Sequence, residues 1–231
     1  MLHIDLPNEA LWIVMLLINF ITITALYRTI GKLGLFIWVP ISVILANIQV
    51  LKTVELFGMT ATLGNIVYAS SFLVTDILSE NYGRQEAKKA VWIGFFAVIT
   101  MTVMMNMALY FTPDPSDFAN EHLTAIFSLM PRIALASLAA YMLSQMHDVW
   151  AYHFWKKKFP SDKMIWLRNN ASTMISQLID SVVFVLVAFW GQFERNVLIS
   201  ILITTYFMKW IVAVCDTPFI YLAKRIFERK L

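Results

Sequence analysis

The whole chain holds one cysteine, Cys215, which excludes an intrachain disulfide and any multi-cysteine metal cluster. Charge is scarce as well: 14% of the 231 residues are Asp, Glu, Lys or Arg, against about 25% in an ordinary soluble domain. The N-terminus opens with Asp5 and Glu9 and has neither a basic n-region nor a small-residue cleavage site, so no secretory signal is expected. His-Glu-x-x-His, Gly-x-Ser-x-Gly and a Gly-rich phosphate loop are all missing. The four histidines (His3, His122, His147, His153) lie at the edges of apolar runs or between them, with no nucleophile beside them. These absences argue against an enzyme, a metal site and a cofactor. Without a Walker A motif the chain cannot itself hydrolyse ATP.

Apolar residues are abundant, at 59%, and they come in runs. Seven runs are long enough to cross a hydrocarbon core of about 30 Å: Ala10–Tyr27, Leu35–Leu51, Thr60–Leu78, Ala90–Phe111, His122–Gln145, Ala171–Trp190 and Asn196–Tyr221. Gly31 and Gly34, Gly58, Gly83, Pro113 and Pro115, Pro160 and Gly191 punctuate the gaps. Pro40, Pro131 and Pro218 fall inside or near the start of spans, where neighbouring helices can satisfy the freed carbonyl. The longest connection on this reading is 147–170, so no soluble domain fits between spans. The expected fold is an all-α polytopic transmembrane bundle forming a single domain over residues 1–231.

The basic residues set an orientation. Arg28 and Lys32, then Arg84, Lys88 and Lys89, then Lys156, Lys157, Lys158, Lys163 and Arg168, and finally Lys224, Arg225, Arg229 and Lys230 occupy alternate connections and the C-terminal tail, 14 of the 18 cations. The intervening connections hold only Lys52 and Arg195, and the acidic loop with Asp114, Asp117 and Glu121 holds none. By the positive-inside rule the N-terminus is outside and the C-terminus cytoplasmic. Trp38, Trp92, Trp150, Trp155, Trp166 and Trp190 near span ends fit an interfacial aromatic belt.

Chemistry is expected where polar residues enter the membrane. Asp76 and Glu80 sit four residues apart near the inner end of the third span; Arg132 lies in the fifth, Asp180 in the sixth, Lys209 and Asp216 in the seventh. An ionisable group at mid-bilayer costs at least about 2.5–3.5 kcal/mol, so such groups persist by pairing or by lining a wet cavity. They fall on helix-spaced stripes: Ser172, Ser176 and Asp180 beside Thr173, Gln177 and Ser181; Ser137, Tyr141, Ser144, Gln145 and Asp148; Asn65, Tyr68, Phe72, Asp76 and Ser79; Thr205, Lys209 and Asp216. Interhelical hydrogen bonds of about 0.6 kcal/mol each account for Ser and Thr. They do not account for charges on several helices, which point to a central polar site for a solute.

Three blocks carry a family resemblance. Ser70–Gly83 with the following basic segment to Gly94 is one. Pro131-Arg132-Ile133-Ala134-Leu135-Ala136-Ser137, continuing through Tyr141, Ser144, Gln145 and Asp148, is the second. Trp166-Leu167-Arg168-Asn169-Asn170-Ala171-Ser172-Thr173, continuing through Gln177, Asp180 and Ser181, is the third. Together, over roughly residues 40–220, they resemble the vitamin-uptake transporter family. The resemblance implies a bacterial plasma-membrane importer of the queuosine precursors preQ0 and preQ1, 7-deazaguanine bases salvaged into modified tRNA. It also implies a six-helix core like that of the substrate-binding subunits of energy-coupling-factor importers, here residues 35–221. The first span (within residues 1–30) is then an addition, and residues 222–231 a basic cytoplasmic tail.

A deazaguanine offers N1–H and an exocyclic amine side by side, which one carboxylate accepts together. Its carbonyl edge needs a donor such as Gln177, Asn47 or Lys209, and its ring an aromatic face such as Phe72, Tyr68 or Tyr141. The substrate-binding candidates are therefore Asp180, Gln177, Asp76, Arg132, Lys209, Asn47, Tyr141, Gln145, Asp216 and Phe72. The expected partners are the small base and the lipid bilayer, without nucleic acid; a homodimer is left open. Two classes remain: a stand-alone transporter, and a binding subunit served by a separate ATP-driven energising module. Ala136 and Ala140 are a small-residue pair at docking spacing but lie on the fifth span beside polar positions, and the second span shows no clear docking face, which favours the stand-alone class.

Overall fold

The computed structural model describes residues 6–191 and 194–229. Seven long helices and one short one run in chain order, with a small hairpin between the second and third. They are α1 (Asn8–Ile30), α2 (Lys32–Gln49), β1 (Thr53–Leu56), β2 (Met59–Thr62), α3 (Gly64–Asn81), α4 (Arg84–Ala108), α5 (Asn120–Phe127), α6 (Met130–Lys158), α7 (Ile165–Phe189) and α8 (Arg195–Glu228). Six helical stretches, containing α1, α2, α4, α6, α7 and α8, are long and apolar enough to cross a membrane. One end of the bundle carries the hairpin. The other carries Arg28, Lys32, Arg84, Lys156 and Lys224 and is called the basic end below.

The exception, α3, explains the architecture. Its 18 residues include Asn65, Ser70, Ser71, Thr75, Asp76, Ser79 and Glu80, too polar for a lipid-facing span. Every residue of it but Asn81 is buried. At about 1.5 Å per residue its 18 residues match α2 in length and come close to a full crossing of about 30 Å. Packed against α1, α2, α4, α6, α7 and α8, it needs no apolar outer face, because its surroundings are protein. The lipid-facing surface is carried by the others through exposed residues such as Ile18, Ile21, Phe96, Leu135, Leu143, Ile175 and Ile203.

Four expectations about element boundaries change. The third span does not begin at Thr60: 59–62 pairs with 53–56 as an antiparallel hairpin, Val54 opposite Ala61. Its two turn residues, Phe57 (φ 53°) and Gly58 (φ 73°), both take the left-handed backbone that a tight two-residue hairpin requires. The Glu9 carboxylate accepts the Phe57 N–H at 2.9 Å and Asn8 Nδ2 donates to the Glu55 carbonyl at 3.1 Å, tying the hairpin to α1. The fifth span is broken. Pro131 lacks an N–H and fits the first helical turn, so α6 restarts at Met130 and α5 ends at Phe127. The connection expected over 147–170 is mostly helix, since α6 runs on to Lys158 and α7 starts at Ile165 after one 3-10 turn, Asp162–Met164. Likewise α8 extends through Glu228, so residues 222–228 are the end of a helix. α1 and α2 are joined through Gly31 alone, at φ 64°, a conformation open chiefly to glycine.

Candidate functional site

α3, α6, α7 and α8 bring their polar stripes together along the bundle axis in three levels. Nearest the hairpin end, a narrow cavity of about 30 Å³ is lined by Ala46, Asn47 and Val50 of α2, Gly64, Asn65 and Tyr68 of α3, Ser137 and Ala140 of α6, Asp180 and Phe184 of α7, and Lys209 of α8. That is room for a water molecule or two, so a solute the size of a base enters only as the lining helices move apart. Gly64 is required for this wall: a Cβ there would stand 2.5 Å from the Ala46 carbonyl oxygen of α2.

The charged pair on its floor organises the cavity. Lys209 Nζ donates to Asp180 Oδ2, and Asp180 Oδ1 accepts from the Tyr68 hydroxyl and, at 3.1 Å, from Ser144 Oγ. The ammonium also lies 5.0 Å from the Tyr68 ring centroid, a cation–π contact. Tyr68 is flanked edge-on by Phe72 and Tyr141, each with its ring centroid 5.9 Å away. Asn47 Nδ2 is committed to the Val43 carbonyl (2.9 Å), while its Oδ1 is buried with no donor among the described residues. Both charges are almost fully buried. Removing either partner would strand the other, so the pair is held by mutual need as much as by attraction.

The middle level is acidic. Asp76 Oδ2 accepts from Thr173 Oγ1 (3.0 Å), and Asp216 Oδ1 accepts from Asn169 Nδ2 (2.6 Å). Asp148 faces Asp76, with the hydroxyls of Ser172, Thr173 and Ser176 around it. At the basic end, Glu80 is buried and collects Arg168 Nη2 at 3.0 Å, Lys156 and Lys224 at 3.3 Å, and the Tyr152 hydroxyl at 3.1 Å. This level pins α3, α6, α7 and α8 to one another. Glu80 is thus an interior residue and not a solvated loop side chain.

Of the ten candidates drawn from the sequence, Asp180, Lys209 and Asn47 line the cavity. Tyr141 and Phe72 stand behind Tyr68 as edge contacts and do not reach the cavity wall. Gln145 spends both ends of its amide on α3, accepting from Thr75 Oγ1 and donating to Ser71 Oγ, each at 3.1 Å. Gln177 is buried below the cavity, with neither amide atom partnered among the described residues. Asp76 and Asp216 belong to the middle level. Arg132 is not brought in: the restart of α6 puts it in the first helical turn, exposed, with Nη2 donating to the Trp190 carbonyl at 3.0 Å. Asn65, Ser137 and Phe184 were not among the candidates. Asn65 and Ser137 lay on polar stripes, whereas the apolar Phe184 gave no signal.

The sequence comparisons agree with this architecture. Residues 62–223 match the family described as "Putative vitamin uptake transporter", which takes in α3 to most of α8. The chain is 45% identical to a "Probable queuosine precursor transporter" of Bacillus subtilis (strain 168) over 95% of its own length and 96% of that protein's. It is 25% identical to the "Queuosine precursor transporter" of Escherichia coli (strain K12), over 74% of each chain. No solved structure matches it. A buried polar axis inside a helical bundle, with a family match over most of that axis, makes this chain a member of the vitamin uptake transporter family and a multi-pass membrane protein.

Proposed function

We propose that the chain imports queuosine precursors, the 7-deazaguanine bases preQ0 and preQ1, across a bacterial plasma membrane, with the N-terminus outside and the C-terminus cytoplasmic. The observation that carries the reading is the buried Asp180–Lys209 pair on the floor of a cavity, in a chain 45% identical to a protein named for that solute. The base would exchange into the existing network. Its N1–H and amine replace the Lys209 and Tyr68 donors on Asp180, and the released Lys209 donates to the carbonyl edge. Asn47 Oδ1 supplies one further acceptor. The displaced Tyr68 hydroxyl needs an acceptor in turn, and each buried donor or acceptor the exchange leaves over would cost about 1–3 kcal/mol. The same bookkeeping rejects bases that present the wrong edge.

The test is uptake of labelled preQ1 into cells that make no precursor and express only this chain. Accumulation supports a stand-alone importer of the base. Uptake that appears only with a co-expressed ATP-driven module supports the binding-subunit class, and no uptake in either case refutes the proposal. Asp180→Asn replaces an acceptor with a donor facing the donors of the base, so affinity should fall roughly 5- to 150-fold, corresponding to about 1–3 kcal/mol. Asp180→Glu should cost less. Unchanged uptake by Asp180→Asn at matched expression would show that Asp180 only ties helices together.

A further inference from the structure

The acidic middle level has more acceptors than donors. Asp76 Oδ1, both oxygens of Asp148, Asp216 Oδ2 and Asn169 Oδ1 are all buried and receive no hydrogen bond among the described residues; the hydroxyls around Asp148 are spent elsewhere, Ser172 on the Asn169 carbonyl (3.1 Å), Ser176 on the Ser172 carbonyl (2.9 Å) and Thr173 on Asp76 (3.0 Å). Asn169 is an amide aimed into the level, its Nδ2 on Asp216, and its free oxygen is independent of the carboxylates. Asp76 and Asp148 confront each other at hydrogen-bonding range, carboxyl to carboxyl. Two ionised carboxylates are acceptors only, and only a proton between them turns that contact into a bond.

Nothing else on the surrounding helices neutralises the level. Facing it are Asp216 from α8 and Tyr152 from α6, neither a cation; the His147 ring of α6 touches it only through Ser176 Oγ, at 2.9 Å, and Cys215 of α8 is turned outward and exposed. Arg168 of α7 is adjacent but points to the basic end, where its Nη1 serves the Phe159 and Ser161 carbonyls and its Nη2 serves Glu80. Lys156 and Lys224 are held by the same Glu80, and Lys209 by Asp180 above. α2 and α4 contribute no titratable side chain at this depth: Lys32, Arg84, Glu86, Lys88 and Lys89 all lie at the basic end. A metal ion is a poor fit, because no three acidic, histidine or cysteine residues among those described are arranged to hold one.

We infer that Asp76 and Asp148 hold a shared proton, and that this pair is the site through which a proton gradient drives the solute. The inference rests on the import reading and names its coupling ion. The level lies about two helical turns from the cavity, with Asp76 eight residues along α3 from Tyr68. Gln177, whose amide is unpartnered among the described residues, sits on the α7 stripe between Thr173 and Ser181 and is placed to relay between the two levels. One proton binds from the outside when the cavity is loaded, and leaves to the cytoplasm with the base. Loss of that proton puts two charges face to face in a water-poor layer, which forces the helices carrying them apart.

The experiment uses the full chain in liposomes with labelled preQ1 and the membrane potential clamped at zero. Counterflow exchange without any gradient tests the import reading alone. A pH gradient, acid outside, should then drive accumulation up to about tenfold per pH unit for one proton per base, and a protonophore should abolish it. Asp148→Asn should exchange base at a rate that no longer varies with pH and should show no gradient-driven accumulation, while Asp148→Glu retains both responses. If Asp148→Asn does not assemble, Asp76→Asn is read in its place. Counterflow with no response to the pH gradient, a response to a sodium gradient in its place, or an Asn variant that still accumulates overturns the proton site and leaves the import reading standing. Absence of counterflow overturns both.

Discussion

At the scale of single residues, the charged pair in the cavity is a constraint as well as a recognition device. Lys209 and Asp180 are each buried, and each is the other's only opposite charge within salt-bridge range among the described residues. Lys209→Met should therefore destabilise the bundle by about 3–5 kcal/mol, because Asp180 stays behind uncompensated. Asp180→Asn strands the Lys209 ammonium in turn and should cost a comparable amount, and the double variant should be more stable than either single variant. Thermal unfolding in detergent for the three variants checks this order, and additive losses would show that the pair is not coupled. A second residue-scale test concerns Gly94 of α4. A Cβ there would run into the Tyr141 hydroxyl and ring, which support Tyr68. Gly94→Ala should cost about 1–3 kcal/mol through overpacking and weaken base uptake through the displaced aromatic. Normal uptake with normal stability would show that Tyr141 can shift without consequence.

The same scale shows what a sequence can and cannot reveal about such a site. Asp180 and Lys209 stood out because burial of charge near mid-span is costly, so their presence demanded a partner. Arg132 stood out for the same reason and was misplaced. Depth was counted from a span starting at His122, whereas Pro131 starts a new helix and moves the arginine to a helix end. Tyr68 was legible as a ring, but the bond from its hydroxyl to Asp180, 112 residues away, was not, since period alone does not pair two stripes on different helices.

At the scale of elements, α3 and its basic end decide how the bundle is closed. Glu80 gathers cations from α6, α7 and α8, but these are not equal. Arg168 is fully buried, whereas the Lys156 and Lys224 side chains keep 31% and 21% of their exposure and can be served by water. Arg168→Met should therefore be the severe change, on the order of 3–5 kcal/mol. Lys224→Met should cost about 1 kcal/mol or less, as for a solvent-screened pair. Protein yield and thermal stability in detergent rank the two; equal losses would mean that the cluster acts through net charge and not through burial. The seven spans were readable from hydrophobic runs, α3 included, but their ends were not. Lys156, Lys157 and Lys158 looked like loop, yet they lie in the last turn of α6, where cations face the negative end of the helix dipole and find water at the interface. The hairpin was hidden because 60–63 is apolar enough to extend an adjoining span, and only the Phe57-Gly58 turn separates the two readings.

At the scale of the whole molecule, orientation follows from the fold and the charges together. The helices alternate, so the α1–α2, α3–α4 and α6–α7 connections and the end of α8 share one end with Arg28, Lys32, Arg84, Lys88, Lys89, Lys163, Lys224, Arg225 and Arg229. The other end has Lys52, Arg195 and, with α6 restarted, Arg132. The loop between α4 and α5 has only acids, and Asp114 there is pinned by the Ser116 N–H and hydroxyl, at 2.9 and 2.5 Å. Cations resist translocation, so the basic end should face the cytoplasm. A reporter fused after Leu231 should then be cytoplasmic, and one inserted within 113–119 should be outside. The two tags test the helix count as well as the direction. Their positions are separated by α6, α7 and α8, and α5, with 8 residues, is too short to cross a core of about 30 Å. Three crossings place the tags on opposite sides; tags on the same side would mean that one of those three helices does not span. Both tags on the sides opposite to those expected would keep the fold and reverse the transporter, so that the cavity near the hairpin would open to the cytoplasm and the chain would be loaded for export.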